Sequence, residues 1–241
     1  MEALRAIERT ESDFIELKKT WRKPVLPFKL EDRLGMAPEV RVKASFAQFI
    51  ELSIEAEYKV EYMDGYVISI FDYDKKTDTM STASLTHENL VANLILELGI
   101  AFYDYSSVRI LGSNMPTFIA EGEGTCNPDV SLVKQDPIIK KYKANKKIQH
   151  CLLNPSIVVE VLSQGTKQYD LAEKLGKYQK IESLEQIVYI EQYWTEITTY
   201  IRVSDNRWLQ IKLEKADEVL PIGNLEIPLS KIYRKINFDR P

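Results

Sequence analysis

The sequence predicts an α+β fold, helices alternating with strands around one core, and three stretches carry that prediction. Leu90, Val91, Leu94, Ile95 and Leu98 recur three or four residues apart, the spacing of a helix with one apolar face. Val60, Tyr62, Val67 and Ile68 flank Asp64-Gly65, the strongest short signal for a hairpin. Ser156 to Ser163 is a strand-like apolar run with Glu160 in its middle, and a helical pattern follows it from Tyr169.

The chain has 241 residues, enough for one sizeable core and short for two full domains. Residues 1–44 read as an N-terminal helix and extended arm, and residues 45–241 as the folded domain. The net charge of −4 argues against binding nucleic acid through overall field and leaves room for a local basic groove. Cys126 and Cys151 lack metal-type spacing and read as reduced thiols. No apolar run reaches the length of a bilayer span, which excludes a membrane partner on this reading. Glu2, Glu8, Glu11, Asp13 and Glu16 are wrong for a secretory or transit peptide, so the expected location is the cytoplasm.

Leu4, Ile7, Phe14 and Lys18 suit a weakly amphipathic helix over residues 1–20, and Pro24, Pro27 and Pro38 then punctuate an extended arm. Ser45 caps a helix whose stripe is Phe46, Phe49, Ile50 and Ile54. After the Asp64-Gly65 hairpin, Asp72 to Thr82 reads as a polar loop. The long helix opens near Ser84 or Thr86 with His87 at the head of its buried stripe. Val108–Leu111 and Pro116–Ala120 suit strands, and Glu121–Thr125 a Gly-containing acidic loop. Residues 134–147, with six lysines, read as a solvated loop that could touch a nucleic-acid backbone if it lay beside a phosphate-cleaving site. A helix is expected from about Tyr169 to Ile181, with Leu171, Leu175 and Tyr178 toward the core and Asp170, Lys174 and Lys177 bordering that face. Strands follow over residues 186–191, 197–203 and 209–213, with a turn at Asp205-Asn206. Residues 220–229 read as an ordered loop ending in a short helix near Ser230.

Two acids stand in unusual places. A Glu among Ile, Val and Leu is costly to ionise unless a cation, a metal or strong donors sit beside it. Alternation puts Asp129 on the face of Ser131 and Val133, and Glu160 on the face of Val158 and Leu162. If those strands are neighbours, both carboxylates converge, and two acids suffice for magnesium, which keeps several waters. The fitting reaction is hydrolysis of a phosphodiester, with a nearby lysine stabilising the anionic transition state. Plainer readings stand beside this one. Glu160 also suits one half of a buried ion pair with Lys174, Asp129 a strand-start cap, and Asp170–Lys174 an ordinary helix pair. His87 suits a satisfied helix-start histidine, and Glu61 a surface strand acid.

The order of these parts resembles the PD-(D/E)xK restriction-endonuclease-like superfamily. More finely it resembles its Uma-type branch, a bacterial endonuclease family long filed as a domain of unknown function. The marks are Glu61-Tyr62-Met63-Asp64-Gly65, Ser84-x-x-His87, Pro128-Asp129-Val130 and the long run from Glu160 through Ser163, Thr166, Asp170 and Lys174 to Tyr178, with Asn224 to Leu229 closing the match. The likeness runs from about Ser45 to Ile232. It implies a mixed β-sheet flanked by helices, a divalent metal (magnesium, or manganese in its place) on Asp129 and Glu160, and Lys174 as the catalytic lysine with Glu61 and His87 lining the site. It further implies DNA as substrate; a homodimer is expected because cutting two strands is often done by paired sites, and no organic cofactor is expected. One departure is plain: the superfamily's lysine two residues after the acid is Leu162 here. That leaves a rival expectation, a catalytically silent nuclease-fold module that binds nucleic acid or a protein partner.

Overall fold

The computed structural model describes residues 15–16, 39–70, 73–74, 79–80, 84–119, 124–144, 147–163 and 166–238. The chain opens with strands β1 (Ile15–Glu16) and β2 (Glu39–Lys43) and helix α1 (Phe46–Glu55). Ser45 caps α1 in a full capping box: its Oγ accepts from the Gln48 N–H, and Gln48 Oε1 accepts from the Ser45 N–H at 2.7 Å. Strands β3 (Glu61–Met63) and β4 (Tyr66–Ile70) form the expected hairpin, with Asp64 and Gly65 both at positive φ, 50° and 84°. Strands β5 (Tyr73–Asp74) and β6 (Thr79–Met80) pair with each other, so the polar loop expected there carries a short ladder.

Helix α2 (Leu85–Ala101) begins where expected, its N-cap Ser84 accepting from the His87 N–H. Leu90, Leu94 and Leu98 are buried, whereas Ile95, expected in the same stripe, is exposed. Then come β7 (Arg109–Gly112), β8 (Thr117–Ile119), β9 (Gly124–Cys126), β10 (Val130–Val133), β11 (Ile139–Ala144), β12 (Lys147–Leu152) and β13 (Ile157–Leu162). A helical segment, α3, covers residues 167–178. The chain closes with β14 (Gln186–Glu191), β15 (Ile197–Ser204), β16 (Arg207–Leu213), β17 (Val219–Ile222), β18 (Leu225–Pro228) and α4 (Leu229–Ile232).

Two mixed sheets organise these strands. One has the order β1-β11-β12-β8-β9-β3-β4-β2, the other β16-β15-β14-β13-β10-β7, and β17-β18 forms a separate ladder. Sidedness in the second sheet follows from alternation along β13. Val159 and Val161 pack with the α2 leucines and with Ile222, Leu229 and Ile232, while Val158 and Leu162 face the other way, onto Tyr178, Ile187 and Tyr189. That second cluster also takes in Met63, Ile68, Ile119 and Cys126 from the first sheet, so it is the seam between the two sheets. A third cluster packs α1 on the first sheet through Phe49, Ile50, Leu52 and Tyr62.

Several expectations are corrected. Ile15–Glu16 is a strand parallel to Tyr142–Lys143, not part of a helix, and the rest of residues 1–20 lies outside the described residues. Of the extended arm, Glu39–Lys43 is described, and it is an edge strand of the first sheet, antiparallel to β4. The acidic loop ends in β9, where Gly124 is needed: a Cβ there would sit 3.2 Å from the Tyr62 carbonyl. The lysine-rich segment is no loop but the β11–β12 hairpin. Its lysines hide a period of two, because Tyr142 and Cys151 on one face are buried under α1. Residues 220–229 form a hairpin around Gly223, at φ 60°, with Leu220, Ile222 and Ile227 buried. Pro221 and Pro228 concealed it, and both are tolerated because this ladder has only two strands.

Candidate active site

The site lies at the seam of the two sheets. Val130 pairs with Val159 across the antiparallel β10–β13 ladder, and continuing that register sets Asp129 opposite Glu160. The two strands are therefore neighbours, the condition the sequence left open. Asp129 Oδ2 accepts from the Val161 N–H at 2.8 Å and lies 3.2 Å from His87 Nε2. The first turn of α2 delivers His87, and that turn is held by its cap: the Ser84 hydroxyl donates to Gln192 Oε1 at 2.6 Å.

Glu160 is buried and faces the seam. Its Oε1 accepts from Lys174 Nζ at 3.0 Å and from the Tyr178 hydroxyl at 2.6 Å. Lys174 also reaches Glu61 Oε1 at 3.1 Å and Asp170 Oδ1 at 3.0 Å, so one ammonium serves three carboxylates from β3, β13 and α3. Glu61 is fixed independently: Oε1 accepts from the Asn127 N–H at 2.7 Å and Oε2 from the Tyr169 hydroxyl at 2.8 Å.

The helix that supplies Lys174 is not a plain α-helix. From Asp170 to Lys174 it is a π-helix, closed by the Leu175 N–H donating to the Asp170 carbonyl. Such wide turns recur at functional sites. The extra residue in the turn keeps Asp170, Lys174 and Tyr178 all buried on the site side, while Leu171 and Leu175 are only half-buried. Tyr178 faces the core and Leu171 and Leu175 pack against it, as expected, but Asp170 and Lys174, expected at the border, are buried. The Tyr189 hydroxyl donates to the Asp170 carbonyl at 3.0 Å and holds the wide turn from the sheet.

All five expected site residues, Glu61, His87, Asp129, Glu160 and Lys174, thus come together. Three more belong with them: Asp170, and the phenols of Tyr169 and Tyr178. Asp170 had a legible signal, since Asp170, Lys174 and Tyr178 follow one another at intervals of four. Tyr169 had none, because its partner Glu61 lies 108 residues away.

The electrostatics follow from burial and a surplus of acid. Burial pushes the Glu160 carboxyl well above its ordinary 4.5, against the pull of Lys174, and Asp170, Asp129 and Glu61 push the same way. Asp170 is raised for similar reasons. Burial works against the Lys174 ammonium, but Glu160, Glu61 and Asp170 outweigh it and hold its pKa well above the usual lysine value. At Asp129 burial is outweighed by the His87 hydrogen bond and charge and by the Val161 N–H, so its carboxyl is lowered. His87 is raised above 6.5: burial disfavours the cation, and Asp129 more than compensates. The chain has two histidines, so NMR can follow His87 directly. In chelator-containing buffer its imidazole is expected to titrate above 6.5, and Asp129→Asn to bring that midpoint down. An unchanged midpoint would mean that the pair does not form.

Four carboxylates (Glu61, Asp129, Glu160, Asp170) therefore share Lys174 and His87 as their cations, and the balance is negative. An all-oxygen, electron-rich set fits a hard divalent cation. Among the described residues no three His, Cys, Asp or Glu side chains form a finished cage. Asp129 and Glu160, on facing strands, are the pair that fits.

A solved structure shares this fold. "A putative nuclease belonging to DUF820" from Anabaena variabilis superposes with a TM-score of 0.57 at 13% identity, covering 80% of this chain and 97% of that one. The chain belongs to the Uma2 family, described as "Putative restriction endonuclease", whose profile matches residues 46–229. Two Synechocystis proteins described as uncharacterized are also similar. The protein sll1609 is 31% identical over 69% of this chain and 85% of its own length, and slr1290 is 26% identical over 81% and 94%. Among the described residues no helix is long and apolar enough to cross a membrane.

Proposed function

We propose that this protein is a divalent-metal-dependent endonuclease that hydrolyses phosphodiester bonds in DNA, working as a homodimer whose paired sites cut the two strands. The observation that carries the reading is Glu160, buried in a strand, in contact with Lys174 and opposite Asp129. Asp129 and Glu160 would hold magnesium, or manganese in its place. Bound there, the metal supplies electrostatic stabilisation of the phosphoryl oxygens. The remaining roles belong to the chain. The three carboxylates around Lys174 favour its ammonium form, which would stabilise developing negative charge. Glu61 and Asp170 fix the position of its ammonium, and the Tyr169 and Tyr178 phenols fix Glu61 and Glu160. His87 orients Asp129.

Calorimetric titration with manganese tests the metal half of this reading. Binding to the wild type that is lost in Asp129→Ala is the expected result, and equal heats from both proteins would refute it. The β11–β12 hairpin supports contact with a phosphate backbone, since Lys141 and Lys143 share one of its faces. Replacing both with Ala is expected to weaken DNA binding alike for all sequences and to flatten the plot of log affinity against log salt by roughly 1–2 units. An unchanged slope would place the backbone elsewhere. The silent-module reading gains if salt-sensitive binding persists in Glu160→Ala and no cleavage is found with any metal.

A further inference from the structure

A cavity of about 330 Å³ shares a wall with the site. Its lining includes Asn127, whose backbone N–H is donated to Glu61 Oε1 and whose side-chain amide donates to the Val60 carbonyl. Two residues further on stands Asp129. Another part of the wall is β12, through Gln149 and Cys151, and Cys151 stands in register with Lys140 of the lysine-bearing strand. The cavity therefore adjoins the acids through Asn127 and lies against the Lys140 face of the hairpin, the face away from Lys141 and Lys143.

Its chemistry narrows the ligand. Among the described residues Glu57 and Lys59 are the charged ones in its wall, and they cancel formally, which suits a neutral ligand and not a free anion. The amides of Asn114, Asn127 and Gln149 offer paired donors and acceptors, the groups that match the edge of a nucleobase. Phe49, Val60 and Pro116 supply an apolar surface for a ring face. The volume is at the small end of ligand pockets, roughly 300–1,000 Å³, and gives room for one base.

We infer that this cavity is a nucleobase pocket, which takes one unstacked base of the substrate strand next to the phosphate to be cut and thereby fixes the strand's register. The inference rests on the nuclease reading above. It goes beyond it in requiring that the base be unpaired or extruded, as in enzymes that draw a base out of the stack.

The test compares two single-stranded oligonucleotides, one intact and one with abasic residues throughout its central segment. Their binding is measured by fluorescence anisotropy in chelator, with wild type and an Asn114→Ala/Gln149→Ala double variant. Their magnesium-dependent cleavage is followed in parallel. Both positions are at least partly exposed, so the variant is expected to fold, and its melting curve checks this. Wild type should bind the intact strand about tenfold more tightly than the abasic one, and the variant should lose that preference while binding the abasic strand as wild type does. Cleavage by wild type with equal affinity for both strands, or a variant that keeps the preference, overturns the pocket and leaves the nuclease standing. Failure of wild type to bind or cut either strand, or duplex DNA, overturns the nuclease reading and the pocket with it.

Discussion

Lys174→Met is expected to destabilise the protein by about 3–5 kcal/mol at neutral pH, the usual cost of stripping one partner from buried charges. Lys174 is the ammonium that Glu61, Glu160 and Asp170 share, and its side chain is only 7% exposed. Without it these acids face one another in the seam between the sheets. The penalty carries a pH signature whose sign follows from the shifts. Glu160 and Asp170 already lie above their ordinary values of 4.5 and 3.8, and Lys174 is the group that lowers both. Removing it raises them further. A carboxyl raised on folding contributes stability that is present below its unfolded pKa and lost as pH rises through the folded one. The variant's deficit relative to wild type should therefore be largest at pH 7 and above and shrink as pH falls toward 5. A melting temperature unchanged from wild type across that range would mean that the cluster is open to water.

Glu160→Gln is expected to act in the opposite direction on stability. It removes one buried negative charge from a surplus and keeps the shape of the side chain. The variant should melt no lower than wild type at pH 7, yet cleave about 10²–10³-fold more slowly, as expected when the electrostatic stabilisation that Glu160 helps to hold in place is lost. A residue that holds the fold back while serving chemistry is common at active sites. The opposed outcomes separate the roles: Lys174 supports both fold and function, Glu160 function alone. A merely structural Glu160–Lys174 pair would make both variants less stable.

Much of this site was legible in the sequence, for reasons that differ by residue. Glu160 declared itself by its surroundings, since a carboxylate within an Ile-Val-Leu strand has few tolerable explanations. Ser84 and Asp64-Gly65 are local signals whose geometry depends on their neighbours alone, and α2 and the β3–β4 hairpin appeared where they pointed. The π turn was not legible. An i, i+4 spacing reads the same in either helix, so Asp170 and Lys174 were placed at the border when they are buried. The β11–β12 hairpin was masked by its lysines, because what makes it a strand pair is burial of Tyr142 and Cys151 against a helix nearly a hundred residues earlier. Glu61 was expected to line the site through family likeness alone. Through Lys174 of α3 it is linked to Glu160 of the other sheet, a relation that no local pattern encodes.

The most direct measurement is cleavage of supercoiled plasmid in magnesium by wild type and Glu160→Gln, side by side and at equal folded concentration. A metal-dependent nuclease centred on Glu160 predicts nicked or linear product from wild type, none with chelator, and none from the variant over the same time. Equal product from both proteins would contradict it and remove Glu160 from the chemistry.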